Sequence, residues 1–245
     1  MKIEFYMPES LKDISLRQYQ KWLKLTDGKE IDLFLQQKMV EIFCGVPIQH
    51  VINMKALDVY NINVKINAIF EKEPKLVERF IFNNVEYGFI PKLDDITFGE
   101  YVDLDNYLND WNNIHKALAI LYRPVTIKRK GYYNIEVYES SENYDLRDVS
   151  MEIVLGSLIF FLQFKERIVK IYDELFTSAK GGELNNKFAG FSEKWGWYQS
   201  IYGLAQGDVR RFNEITNMKL HTCLQYLAFE KDKAELEKQM YKTKK

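Results

Sequence analysis

The same helix-opening device is written twice in this chain. From Asp13 the sequence reads DISLRQYQKW, and from Asp95 it reads DITFGEYVDL. With Ser15 and Thr97 as N-caps, Gln18 and Glu100 fall at the third helical position, the reciprocal arrangement of a capping box. Ile14 and Ile96 then precede the caps and Tyr19 and Tyr101 follow the boxes, as in a hydrophobic staple. These signals fix where two helices begin and which way their apolar faces turn. The shared phrase is too short to establish a duplicated segment.

Further helices follow from spacing and stop signals. One runs from Leu16 to about Leu25 and stops at Asp27-Gly28; a second, from Glu30 to Cys44, ends at Gly45 with Pro47 beyond. Shorter helices are expected around Ile48–Met54 and Asn61–Phe70. In KLVERFIFNNVEYGFIP, Asn83-Asn84 divides two aromatic and β-branched runs, which predicts a tight hairpin. The second capped helix continues through HKALAILYRP, with a break near Asn112-Asn113, until Pro124 stops it. VTIKRKGYYNIEVYES alternates around Lys130-Gly131 and reads as another hairpin, and ENYDLRD as a loop. A long helix is expected from Ser150 to about Ala179, ending at Gly181-Gly182. Two more surround LAQGD, where Gly207 ends one and Asp208 caps the other, and the last covers about Lys219 to Lys242. The fold class is mainly α within α+β: a bundle-like helical protein with one or two small β-hairpins. Its expected organisation is a helical lobe over 1–126 with a hairpin near 77–90, a hairpin and loop connector over 127–147, and a second helical lobe over 148–245. No glycine-rich βα turn interrupts the pattern, which argues against a doubly wound nucleotide fold.

Composition narrows the partners. A formal net charge of -1 offers no field for nucleic acid or an anionic membrane. The most apolar run, Ile153 to Phe164, is roughly 12 residues, too short to cross a bilayer. Met1 to Pro8 lacks the apolar stretch of a signal peptide. Cys44 and Cys223 stand far apart in apolar helical settings and read as buried free thiols of a reducing compartment. With 16 Phe, 16 Tyr and 4 Trp, the chain is rich in side chains that serve cores and interfaces alike.

No stretch carries a recognisable catalytic signature. The region Asp94 to Asp110 holds Asp94, Asp95, Glu100, Asp103, Asp105 and Asp110 without a Lys or Arg. DLDNY supplies the first two oxygen ligands of a calcium loop, but the third ligand, the turn glycine and the distal glutamate are missing. His50, His115 and His221 have no ligand-spaced partner. No cofactor, no metal and no enzyme activity are therefore expected. Three surfaces remain as protein-interface candidates: the acidic helix at Asp103, Asp105 and Asp110, the basic hairpin tip at Lys128, Arg129 and Lys130, and the aromatic face of Trp195, Tyr198 and Tyr202. Opposite charges on one subunit can join copies head to tail and close a ring.

The blocks SLRQYQKW, IPKLDDITFGEYVDLDNYLNDW, HKALAILYRPV and KWGWYQSIYGLAQGD with FEKDKAELEK resemble proteins of tailed bacteriophages, crAss-like phages in particular. The resemblance implies a non-enzymatic virion protein made in the host cytoplasm, a ring subunit of the portal–tail connector in the neck or tail. Its partners would be copies of itself and neighbouring portal and tail proteins, with no membrane and no specific nucleic-acid recognition. A tail-assembly chaperone that leaves before the virion is complete is the alternative. The resemblance carries over no catalytic residues.

Overall fold

A computed structural model describes residues 5–139, 145–176 and 194–243. Among these residues the protein is mainly helical, with one four-stranded antiparallel sheet. Its residues divide into two compact units, Met1–Pro91 with Tyr107–Phe161, and Lys92–Asn106 with Leu162–Lys245. The units run through the chain in alternation.

The first unit contains α1 (Leu16–Thr26), α2 (Leu33–Cys44), α3 (Ile48–Val51) and α4 (Ala56–Phe70). Then come β1 (Arg79–Phe82) and β2 (Val85–Phe89), joined as expected at Asn83 and Asn84, whose φ of 48° and 62° give the paired left-handed geometry of a two-residue hairpin turn. After the excursion through α5 (Phe98–Tyr107) the unit resumes with α6 (Ile114–Leu121), β3 (Tyr122–Arg129), β4 (Tyr132–Ile135) and the start of α7 (Met151–Ile171). The second unit takes α5, the rest of α7, α8 (Asp173–Phe176), α9 (Trp197–Leu204), α10 (Phe212–Thr216) and α11 (Leu220–Thr243).

Both capping boxes form. Ser15 Oγ accepts the Gln18 amide at 3.2 Å while Gln18 Oε1 accepts the Ser15 amide at 2.9 Å. Thr97 Oγ1 accepts the Glu100 amide at 3.1 Å, and Glu100 Oε2 the Thr97 amide at 2.7 Å. The likeness then extends beyond the repeated phrase. In the first unit Leu16 N–H donates to Val149 O at 3.0 Å and Met151 N–H to Ile14 O at 2.7 Å, so the starts of α1 and α7 are clasped by a bridge between Ser15 and Ser150. In the second, Phe98 N–H donates to Met218 O at 2.8 Å and Leu220 N–H to Ile96 O at 2.9 Å, clasping α5 to α11 through Thr97 and Lys219. Each clasp uses N–H groups that a helix start otherwise leaves unpaired. Each staple tyrosine also meets a tryptophan edge-on: Tyr19 with Trp111 at 4.9 Å, Tyr101 with Trp197 at 5.6 Å.

Several boundaries differ from the sequence reading. α2 begins at Leu33 because Asp32 Oδ1 accepts the Leu35 amide at 2.8 Å and so caps it. Pro124 does not end a helix. α6 stops at Leu121, and Pro124 lies within β3 opposite Tyr87, its carbonyl accepting Glu136 N–H at 3.0 Å. A residue before proline is pushed towards extended backbone, which starts the strand at this point. β3 pairs with both β2 and β4, so the two expected hairpins form a single sheet ordered β1-β2-β3-β4. Tyr122 anchors it, fully buried against Phe80 and Phe89, with its hydroxyl donating to Val77 O at 2.7 Å. α7 ends at Ile171, and the expected stop at Gly181-Gly182 lies outside the described residues.

Candidate functional site

In the second unit the clasped helices frame a groove of about 800 Å³. Val102 and Asp105 line it from α5, Leu224 and Leu227 from α11, and Trp195 and Tyr198 from the segment at the start of α9. α5 turns Phe98, Tyr101 and Leu104 inward, which brings Asp105 round to the groove wall. There Asp105 Oδ2 accepts the Trp197 indole N–H at 2.9 Å, and Oδ1 accepts the ammonium of Lys165. Trp197 in turn packs edge-on to Phe98, Tyr101 and Phe176. Asp105 is therefore a structural anchor for a tryptophan.

The rest of the acidic stretch is similarly occupied. Asp94 pairs with Arg167 at 2.7 Å, and Asp95 with Lys219 at 2.6 Å and Lys92 at 3.2 Å. Those ammonium groups hold the Asp95 carboxyl below the ordinary range, Lys219 contributing most. Glu100, only 4% exposed, serves the capping box. Asp103 is half-buried on α5. Asp110 belongs to the first unit, where it caps the turn at Trp111–Asn113 and accepts from the Asn112 and Asn113 side chains. Sequence saw an acidic face; the structure spends most of its carboxylates on caps and ion pairs within their own unit.

Of the basic tip, Lys128 reaches back across the sheet to Glu86 at 2.9 Å, a residue that sequence reasoning did not single out and that also binds Arg79 at 3.0 Å. Arg129 and Lys130 are exposed beside the turn at Gly131. The aromatic face is partly assembled. Trp195 and Tyr198 lie with ring centroids 5.5 Å apart, and Tyr198 meets Phe212 edge-on at 5.5 Å. Tyr202, 54% exposed, packs beside Gly207, where an added Cβ would lie 3.1 Å from its hydroxyl. Lys194 sits over the Trp195 ring at 4.9 Å.

His221 accepts or donates at Nδ1 with the Tyr172 hydroxyl at 3.0 Å, and its Nε2 lies 3.7 Å from Asp94. Burial, followed by the Arg147 charge, pushes the His115 pKa down. Among the described residues no group of three or more His, Cys, Asp or Glu is placed to hold a metal. No helix among them is long and apolar enough to cross a membrane.

Sequence reasoning also missed a surface on the first unit. α4 buries Val59, Ile62, Ile66 and Ile69, yet Leu57, Tyr60 and Val64 on its other side are 67%, 57% and 49% exposed. Leu33 and Phe34, at the start of α2, are 53% and 54% exposed. The signal was in ALDVYNINVKINAIF, where two apolar stripes share one helix. No protein-family model, curated protein or solved structure matches this chain.

Proposed function

We propose that the protein is a non-enzymatic structural component that works by binding copies of itself, as a ring subunit of a phage portal–tail connector would. The observation that carries this reading is the outward apolar stripe of α4, Leu57, Tyr60 and Val64. An exposed apolar stripe along one helix face is suited to binding another protein surface. A heterologous contact sets this stripe against a different surface of the next copy, and such contacts close into rings when the rotation allows. The exposed aromatic pair Trp195 and Tyr198 supplies a second face of anchor character.

Light scattering and electron microscopy on the purified chain test the reading. Closed oligomers are expected, together with many copies in purified particles. Tyr60→Asp combined with Val64→Asp should release monomers of unchanged helical content. A protein that stays monomeric at high concentration and is missing from particles overturns the ring; missing from particles but bound to unassembled tail subunits, it is the assembly chaperone.

A further inference from the structure

α11 is apolar on two opposite sides. Leu220, Cys223 and Leu224 face its own unit and are fully buried. Tyr226, Phe229, Lys233, Leu236 and Met240 follow alternating steps of three and four, the spacing of a coiled-coil seam. At 3.6 residues per turn this seam lies on the far side of the helix from the buried face. Its apolar members are 42%, 59%, 58% and 54% exposed, from Tyr226 to Met240. From Asp232 to Tyr241 every residue of the helix is exposed.

Charge along the seam selects the occupant. Glu230 and Glu237 border one edge and Asp232 the other, while Lys231 and Lys238 point away from it. The one cation in the seam, Lys233, lies 3.7 Å from Glu230. Two copies paired in parallel would set Asp232 against Glu237, and an antiparallel pair would set Glu230 against Glu237. Either register places acids together at the flanking positions that govern partner choice. We propose that the outward face of α11 docks an amphipathic helix of a different protein, with an apolar seam and lysine or arginine flanks. The inference is independent of the ring reading.

Fluorescence anisotropy with the full chain and two labelled three-heptad peptides tests it. Both peptides carry the same Leu/Ile seam, one with Lys flanks and one with Glu flanks. The Lys-flanked peptide should bind at least about tenfold more tightly, and added salt should narrow the gap. Leu236→Asp with Met240→Asp should abolish binding without lowering the melting temperature, because both positions face solvent. Reversing Glu230, Asp232 and Glu237 to Lys should swap the preference. The proposal fails if neither peptide binds, if both bind alike, or if the reversal leaves the preference unchanged. It also fails if the unmodified chain pairs with itself through α11 and loses that pairing in the double variant.

Discussion

The indole nitrogen of Trp197 donates to the carboxylate of Asp105 at 2.9 Å, and this one bond ties the first turn of α9 to α5. Removing the acceptor leaves the indole N–H and the Lys165 ammonium without it in a half-buried site. Asp105→Ala should cost about 1–3 kcal/mol in urea unfolding, with a red shift in tryptophan emission. Asp105→Asn keeps an oxygen acceptor and should cost less. Equal losses for the two would remove the indole bond from the account.

The paired caps give a second expectation. Ser15→Ala and Thr97→Ala should each lower stability by about 0.5–2 kcal/mol. Thermal melts that register a loss at one position only would show that the two starts, although alike in geometry, are not alike in energy.

Two glycines should respond with opposite signs. A Cβ at Gly156 in α7 would lie 2.4 Å from the backbone oxygen of Lys75, a contact that only backbone movement relieves. Gly156→Ala should therefore destabilise by about 1–3 kcal/mol, as overpacking does. Gly203 in α9 has nothing within 4 Å of the same position, so Gly203→Ala should gain about 0.5–1 kcal/mol of helix propensity. Chemical denaturation of both variants reads the contrast directly.

Acid should act on the charge cluster at the α1–α7 clasp. Arg17 binds Asp148 through two bonds of 2.6 and 2.8 Å, and Arg147 binds Asp145 through two of 2.7 Å. These bonds hold both carboxyls below the usual range, and at Asp145 far below it. Depressed pKa values make the stabilisation complete above the unfolded value near 3.9, and it fades as pH falls towards the folded values. Arg17→Gln should thus lower the urea midpoint at pH 7, and the gap from the parent chain should narrow as pH falls below about 4. The groups are exposed, so the effect is modest. A constant offset across that range would contradict the linkage.

Burial pushes the thiols of Cys44 and Cys223 up to about 11. At pH 8 the native protein should react slowly with a thiol reagent, and both cysteines should titrate at once in denaturant. Rapid labelling of either in the native state would mean that its helix opens readily.

What sequence made legible was local. The capping boxes, the Asn83-Asn84 turn and the stop at Gly45 are decided by a few adjacent residues, and each formed where its chemistry placed it. The joining of the hairpins was hidden because pairing of β2 with β3 depends on registers such as Phe89 with Tyr122, which no short window contains. Pro124 misled for a related reason: a proline that ends a helix and one that sits in a strand look alike until the strand's neighbour is known. The acidic stretch looked like a surface because its partners Arg167 and Lys219 lie far along the chain. Trp195, Tyr198 and Tyr202 were legible as a cluster, but the groove beside them needed α11 to define its other wall.

The alternation of the units sets a timetable for synthesis. Helix α5 leaves the ribosome long before its clasp at Met218–Leu220 and its tryptophan at Trp197 exist. At roughly 5–20 residues per second, the interval between Thr97 and Lys219 lasts on the order of 6–24 s. Throughout it, Phe98, Tyr101 and Leu104, all fully buried in the finished protein, must be kept from other nascent chains. The first unit can close as soon as Phe161 has emerged, before most of the second unit has been made. Slowing translation after that point would prolong the exposure, and aggregation of stalled chains should be greatest when they end just short of Trp197.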